Sequence, residues 1–94
     1  MQASIDISLY PLAQNSFKDD IWRFIFALRE VEGLTVITNG MSTQVFGDYD
    51  LAVTNVMKQI KVAHQQLGSA VFVVKFIAAE QPLIHPENEP TNIE

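Results

Sequence analysis

Apolar and polar residues alternate along the first stretch of the chain, residues 3–10. One side of an extended strand there carries three apolar side chains: Ile5, Ile7 and Leu9. The other side carries four hydrophilic or aromatic ones: Ser4, Asp6, Ser8 and Tyr10. A period of two residues indicates a strand with one buried face, which Pro11 is expected to end.

A helical spacing of apolar residues follows the first strand. The stripe contains Phe17, Ile21, Phe24, Ile25, Leu28 and Val31. Ser16 is expected to cap its N-terminus, with Asp19 as the acidic partner, and Gly33 is expected to end it. Trp22 and Phe26 fall outside the stripe. They suit packing at a helix edge, a subunit contact or stacking on a ligand.

The middle of the chain predicts a hairpin and a second helix. Residues 34–39 form a strand, Asn39-Gly40 a turn, and residues 41–46 the returning strand. Asp48 caps a helix that runs to about Leu67 and ends at Gly68. Its apolar stripe is Val53, Val56, Met57, Ile60, Ala63 and Leu67. Residues 70–78 form a last strand, apolar nearly throughout except for Lys75.

The predicted order β-α-β-β-α-β is that of an α+β, ferredoxin-like fold, with a four-stranded antiparallel sheet and two helices on one face. The other face of this sheet mixes Val71, Val73 and Ile77 with a few charged residues, which is too apolar for a bare surface. We therefore expect a homo-oligomer, dimer or tetramer, joined through the open sheet face or the edge strands.

Composition and charge narrow the classes of function. Residues 1–79 form the predicted domain, and residues 80–94 form a proline-rich tail with four of the eleven acidic residues, expected to be extended or disordered. Although the net charge is −5, the domain is nearly neutral and has no basic stripe, so no nucleic-acid partner is expected. The chain has no cysteine and no apolar run long enough to span a membrane. We expect a cytoplasmic protein without membrane partners.

The usual catalytic arrangements are missing from the sequence. His64 and His85 are the only histidines, and His64 has no metal-binding partner one helical turn away. Asp48 and Asp50 share a helix start, where capping explains them. We therefore expect no catalytic residue, no metal and no cofactor.

Binding chemistry is present instead, around the hairpin. Ser42, Thr43 and Gln44 offer hydrogen bonds without net charge, and Tyr10, Trp22 and Phe46 offer aromatic surface. This combination suits a flat, neutral or cationic heterocycle. Ordinary strand chemistry remains the alternative for Ser42 and Thr43, because hydroxyl side chains are common in sheets.

Three short motifs give the chain a family resemblance. Ile7-Ser-Leu-Tyr-Pro-Leu12 ends the first strand, Met41-Ser-Thr-Gln-Val-Phe-Gly47 contains a Ser-Thr-x-Val-x-Gly signature, and the second helix then starts where expected. Over residues 3–79 the chain resembles the YkoF-like thiamine- and hydroxymethylpyrimidine-binding domains. The resemblance implies a ferredoxin-like fold, oligomeric assembly, and binding of thiamine or its pyrimidine half rather than catalysis.

The resemblance also implies roles for particular residues. Ser42 and Thr43 would hydrogen-bond the aminopyrimidine, Tyr10 would be the aromatic residue near the site, and Gly47 would close the strand. The residues themselves add four further candidates for ligand binding: Asp6, Trp22, Asn39 and Gln44. Some relatives fuse two such domains, whereas this chain has one, so two copies are expected to supply the complete assembly.

The predicted function is non-catalytic binding of thiamine, hydroxymethylpyrimidine or another small heterocycle, in salvage, transport or sensing. Two alternatives remain open. One is a small oligomeric enzyme of the dimeric α+β barrel type, for which Asp6 on the open face is the candidate acid. The other is a structural oligomerisation module without a ligand. A solvent-filled pocket beside Thr43 favours binding, and a filled core at that place favours the module.

Overall fold

A computed structural model of the chain describes residues 1–12 and 18–79. Within them, four strands and two helices follow one another in the predicted order. They are β1 (Gln2–Pro11), α1 (Lys18–Arg29), β2 (Thr35–Thr38), β3 (Thr43–Asp48), α2 (Tyr49–Leu67) and β4 (Ala70–Ile77). The predicted cap Ser16 and the predicted tail at residues 80–94 lie outside the described residues.

The four strands form one antiparallel sheet in the order β2-β3-β1-β4. Ile5 on β1 lies opposite Val45 on β3 and opposite Phe76 on β4, so the three side chains share one face. The predicted α+β, ferredoxin-like fold is confirmed. Its two central strands are β1 and β3, while β2 and β4 form the edges.

The hydrophobic core lies between the sheet and the two helices. The odd-numbered residues of β1 point toward the helices, as the alternation predicted: Ile5 and Ile7 are buried and Leu9 packs beside them. The helices contribute buried residues at helical spacing: Phe24, Ile25 and Leu28 from α1, and Ala52, Val56, Ile60, Ala63 and Leu67 from α2. This burial of apolar surface from both layers is the main source of stability.

The side of the sheet without helices, which we call the open face, carries the even-numbered residues of β1. Across the sheet it contains Thr35, Ile37, Ser42, Gln44, Phe46, Ser4, Asp6, Ser8, Tyr10, Val71, Val73, Lys75 and Ile77. Tyr10, Val71, Val73 and Ile77 are exposed there. Neither of the two described helices is long and apolar enough to cross a bilayer.

The ends of α2 follow the sequence signals, whereas α1 ends early. The Asp48 carboxylate accepts a hydrogen bond from the backbone N–H of Leu51 at 3.2 Å, and Gly68, at φ +70°, donates its N–H to the carbonyl of His64. Helix α1 stops at Arg29 rather than at Gly33. Two successive turns, from Leu28 to Leu34, separate the helix from β2. Their hydrogen bonds pair backbone N–H and carbonyl groups that the end of the helix leaves free.

The hairpin loop is longer than the Asn39-Gly40 turn suggested. Thr38 pairs with Thr43, so residues 39–42 form the loop and β3 begins at Thr43 rather than at Met41. The Asn39 side-chain oxygen accepts hydrogen bonds from the backbone N–H groups of Met41 at 2.8 Å and Ser42 at 3.2 Å. These local bonds compete with strand pairing and hold the loop in its own conformation.

Candidate functional site

A cavity of about 220 Å³ lies beneath the hairpin loop, between α1 and the sheet. Its apolar wall consists of Ile7, Leu9, Ile21, Phe24 and Ile25. Its polar wall consists of Ser8 and residues 38–43 of the hairpin. No charged side chain lines it among the described residues. The cavity therefore offers an apolar surface on one side and uncharged hydrogen-bonding groups on the other, the usual make-up of a small-molecule site.

Two threonines of the polar wall form a hydrogen-bonded pair. Thr38 and Thr43 lie directly opposite each other on β2 and β3, on the helix side of the sheet. Their hydroxyl oxygens are 2.8 Å apart, and Thr43 is only 7% exposed. The Thr38 hydroxyl also lies 3.5 Å from the carbonyl oxygen of Ser42. Sequence reasoning missed Thr38, although a hairpin register with a four-residue loop would have placed it opposite Thr43.

The threonine pair can present either a donor or an acceptor to the cavity. Each hydroxyl has one hydrogen and two lone pairs, and the bond between the two uses one hydrogen and one lone pair. If Thr38 donates to Ser42, Thr43 donates to Thr38 and keeps its lone pairs for a ligand. If Thr38 donates to Thr43, the Thr43 hydrogen is available instead. The site can thus match a ring nitrogen or an amino group.

A second cavity, of about 380 Å³, adjoins the first and lies between α1 and the hairpin. It is lined by Trp22 together with residues that also line the first cavity: Ile21, Ile25, Thr38, Asn39 and Gly40. Trp22 is exposed and stacks on Phe26 with their ring centres 5.5 Å apart. The indole therefore borders a cavity that shares most of its lining residues with the cavity under the hairpin.

A separate polar cluster lies on the open face. The Asp6 carboxylate accepts hydrogen bonds from the Ser42 hydroxyl at 2.7 Å and from the Gln44 amide nitrogen at 3.0 Å. The same amide nitrogen lies 2.6 Å from the Ser42 hydroxyl oxygen. These bonds link β1, β3 and the loop across the sheet.

The surroundings of Asp6 favour its charged form. The Ser42 hydrogen bond, then that of Gln44, lowers the pKa of Asp6 below its ordinary value of 3.8, against the opposing effect of burial. Lys75 lies opposite Asp6 on β4, and its positive charge lowers the pKa further. Asp6 is therefore an ionised carboxylate at neutral pH, which accepts hydrogen bonds and donates none.

The seven predicted ligand-binding residues do not form one site but lie in different regions of the structure. Thr43 and Asn39 line the cavity under the hairpin, and Trp22 lines the adjoining one. Asp6, Gln44 and the hydroxyl of Ser42 belong to the open-face cluster. Tyr10 also lies on the open face, where it is 54% exposed opposite Val71. Ser42 and Thr43 are neighbours in sequence, but their side chains point to opposite faces of the sheet, because successive residues alternate where the loop leads into β3.

His64 contacts β4 through both its ring nitrogen and its ring face or edge. Its Nε2 lies 3.2 Å from the carbonyl oxygen of Ala70, and its ring meets the edge of Phe72 with centres 5.0 Å apart. Both contacts join the end of α2 to the start of β4. Among the described residues, no group of three or more acidic, histidine or cysteine side chains is arranged to hold a metal ion.

No protein-family model and no curated protein sequence matches this chain. Solved structures do resemble it. One is a protein from Streptococcus pneumoniae, with 22% identity and a TM-score of 0.71, over 85% of this chain and 89% of that one. Another is a hypothetical protein from Methanocaldococcus jannaschii, with 20% identity and a TM-score of 0.72, over 86% and 84% of the two chains.

A third similar structure comes from Thermotoga maritima and is assigned provisionally to thiamine biosynthesis or salvage. It shares 12% identity with this chain and has a TM-score of 0.64, over 81% of this chain and 82% of its own. At these identities the likeness concerns the fold. It agrees with the ferredoxin-like fold that the sequence motifs indicated.

Proposed function

We propose that this chain is a non-catalytic, cytoplasmic binder of a small heterocycle, either hydroxymethylpyrimidine or thiamine, in salvage, transport or sensing. The observation that carries the proposal is the cavity of about 220 Å³ under the hairpin. It has an apolar wall and a threonine pair in which Thr43 is buried and Thr38 is half-buried. A similar fold in the provisionally assigned thiamine biosynthesis/salvage protein supports the choice of ligand. The ligand is held without a metal or a cofactor.

The size and chemistry of the cavity favour a single ring in it. Its volume of about 220 Å³ lies below the roughly 300–1,000 Å³ of sites for drug-sized ligands. An aminopyrimidine has ring nitrogens that accept and an amino group that donates, which are the two kinds of partner that Thr38 and Thr43 can serve. Phe24 and the neighbouring aliphatic side chains give the faces of a flat ring an apolar surface.

Whole thiamine adds a cationic second ring, for which the adjoining cavity provides a place. The pyrimidine ring then lies beside Thr43, and the second ring extends past Asn39 toward Trp22. A cation over an exposed indole face is stabilised by about 0.5–1 kcal/mol. Under this proposal Trp22 contributes to the affinity for thiamine and not to that for the pyrimidine alone.

Calorimetric titration of the full chain with hydroxymethylpyrimidine and with thiamine tests the proposal. We expect Thr43→Val to preserve the fold, since valine matches threonine in shape and Thr38 can still donate to the Ser42 carbonyl. Its loss of the hydroxyl should weaken binding of both ligands about ten- to a hundredfold, because a ligand polar group is left unpaired in a desolvated site.

The matched control is Thr35→Val, the same substitution on the open face of β2, where the side chain is exposed and outside the cavity. It should leave both affinities within about twofold. Absence of heat and of any thermal shift at millimolar concentrations of either ligand would refute the proposed function. If Thr43→Val and Thr35→Val changed the ligand affinities equally, Thr43 would not be part of the binding site.

A further inference from the structure

The hairpin loop at residues 39–42 supplies much of the polar wall of the cavity beneath it. Within the loop, the Asn39 backbone N–H donates to the Ser42 carbonyl at 3.1 Å, and the Asn39 side chain accepts from Met41 and Ser42. These bonds give the loop its shape. Because they join residues of the loop to one another, they do not by themselves fix the loop relative to β1 and α1, which form the apolar wall.

The Ser42 side chain connects the loop to a strand outside the hairpin. Its hydroxyl donates to the Asp6 carboxylate at 2.7 Å. Asp6 lies in β1, a central strand of the sheet, where it pairs with Gln44 of β3 and Lys75 of β4. Hydrogen bonds to an ionised acceptor are about twice as strong as those between neutral groups. The loop is therefore tied by a strong bond to a position that the sheet holds on both sides.

Ser42 links the two faces of the sheet at this point. Its side chain lies on the open face with Asp6, whereas its carbonyl oxygen lies 3.5 Å from the Thr38 hydroxyl, on the side of the cavity. The next residue, Thr43, bonds Thr38 on that same side. A shift of Ser42 away from Asp6 would therefore displace groups of the polar wall. Binding groups need to be held within about 0.5 Å of their productive geometry.

We propose that Asp6 is a positioning residue, which acts from the open face to hold the hairpin loop in the conformation that forms the cavity on the opposite face. Asp6 is not among the residues that line the cavity, so it acts through Ser42 and not on a ligand. Its consequence for binding rests on the proposed function. A loop that adopts the binding conformation for a smaller fraction of the time lowers the apparent affinity by that fraction.

Amide hydrogen exchange of the ligand-free chain, followed by NMR, tests the positioning role directly. Asp6→Ala removes the acceptor of the Ser42 hydroxyl. It should speed exchange of the Asn39 amide, which donates to the Ser42 carbonyl, at least about fivefold. The internal control is the Leu34 amide, which donates to the Val31 carbonyl in the turn before β2. Its exchange rate should stay within about twofold of wild type.

The two partners of the bond should act as one unit. Ser42→Ala removes the donor and should speed exchange of the Asn39 amide as much as Asp6→Ala does. The double variant should be no faster than either single variant. Asp6→Asn keeps a side-chain oxygen that can accept from the Ser42 hydroxyl and should restore exchange toward the wild-type rate. Thr35→Ala, which removes an exposed hydroxyl from the open face of β2, is the matched control for Ser42→Ala and should leave exchange unchanged.

Calorimetric titration with hydroxymethylpyrimidine extends the test to the ligand. Asp6→Ala should weaken binding about three- to tenfold. This is less than the loss expected for Thr43→Val, because the hydroxyls that contact the ligand remain. A wild type that binds no ligand would refute the proposed function, while amide exchange would still decide whether Asp6 holds the loop.

Three results would overturn the positioning role. One is an Asn39 exchange rate in Asp6→Ala within about twofold of wild type. Another is equal acceleration of the Asn39 and Leu34 amides, which would mean a general loss of stability. The third is an unchanged affinity in Asp6→Ala when the wild type binds. Ser42→Ala carries the same tests if Asp6→Ala does not fold, since it removes the same bond from the loop side.

Discussion

At the scale of single residues, the position of a side chain relative to the sheet decides its role. Ser42 and Thr43 carry almost the same chemistry, but one bonds Asp6 on the open face and the other bonds Thr38 beneath the hairpin. Thr38 lies five positions before Thr43 in sequence and directly opposite it in space. A hydroxyl becomes part of a candidate site through its strand register rather than through its neighbours in sequence.

Gly47 fills a position that only glycine fits. A Cβ at this residue would lie 2.7 Å from the carbonyl oxygen of Gly33 and 2.7 Å from a methyl carbon of Leu34. Since the oxygen belongs to the backbone, Gly47→Ala requires the segment after α1 to move. We expect the free energy of unfolding to fall by about 1–3 kcal/mol, as measured by urea denaturation.

Gly40 provides the control for this substitution. A Cβ there has nothing within 4 Å, and the residue does not have a positive φ. Gly40→Ala should therefore change the free energy of unfolding by less than about 0.5 kcal/mol. Similar effects at Gly40 and Gly47 would show that loss of backbone freedom, and not the close approach of Gly33, sets the response.

Asp6 should make stability depend on pH in acid. Its pKa in the folded chain is lowered from 3.8, first by the hydrogen bond from Ser42 and then by that from Gln44. A depressed folded pKa contributes stability that is fully present above the unfolded pKa and is lost as pH falls through the folded pKa. Relative to Asp6→Asn, the wild type should therefore begin to lose stability as the pH falls from about 5 toward 3.8 and should lose more below 3.8.

The measurement is the difference in urea unfolding free energy between wild type and Asp6→Asn, followed from neutral pH into acid. The difference should be constant above about pH 5 and should shrink below it. A difference that stays constant through the acid range would mean that Ser42 and Gln44 do not favour the charged carboxylate.

At the scale of secondary-structure elements, local signals fixed most of the pattern. The alternation in β1, the existence of both helices, and the caps Asp48 and Gly68 were evident in the sequence and are confirmed. The predicted stripe of α2 was wrong at one position, because Met57 is 51% exposed and Ala52 is buried in the core. The end of α1 and the start of β3 were predicted wrongly. Both lie where loop hydrogen bonds, such as those accepted by Asn39, compete with regular structure.

The contribution of the Asp48 cap of α2 to the free energy of unfolding can be measured. Asp48→Ala removes the side-chain acceptor for the Leu51 N–H and should lower the free energy of unfolding by about 0.5–2 kcal/mol. Asp48→Asn keeps a good capping side chain but removes the charge, including its 3.9 Å approach to the N-terminal amine of Met1.

Because that ion pair is exposed on both sides, the asparagine variant should stay close to wild type. Thermal and urea unfolding of Asp48→Ala and Asp48→Asn separate the contribution of the capping hydrogen bond from that of the charge. An asparagine variant as unstable as the alanine variant would assign the effect to charge rather than to capping.

At the scale of the whole molecule, two layers share one core. Leu28 of α1 is fully buried between the layers, so Leu28→Ala should leave a cavity and cost about 2–5 kcal/mol. This is a large part of the total stability of about 5–15 kcal/mol expected for a domain. Urea denaturation should show a lower midpoint concentration of urea, with an unchanged dependence of the unfolding free energy on urea concentration.

Leu12→Ala makes the same chemical change at a residue that is 67% exposed. It should alter the free energy of unfolding by less than about 0.5 kcal/mol. If the two variants were equally unstable, burial in the core would not be the source of the effect.

The sequence by itself determined the fold, because hydrophobic periodicity and caps act over one or two turns of chain and leave a direct pattern in the residues. It also pointed to the hairpin as the place of polar binding chemistry. The tertiary structure decided how that chemistry is divided. Thr43 lies in the cavity with Thr38, while Ser42, Gln44 and Asp6 lie on the open face.

The cavity itself was beyond sequence reasoning. Its apolar wall joins β1 to α1, and its polar wall comes from the hairpin, so it exists only when the three segments pack together. The exposure of Phe76 depends in the same way on how far α2 extends over β4. Loop length, strand register and helix coverage are set by contacts between residues far apart in the chain, and no local pattern encodes them.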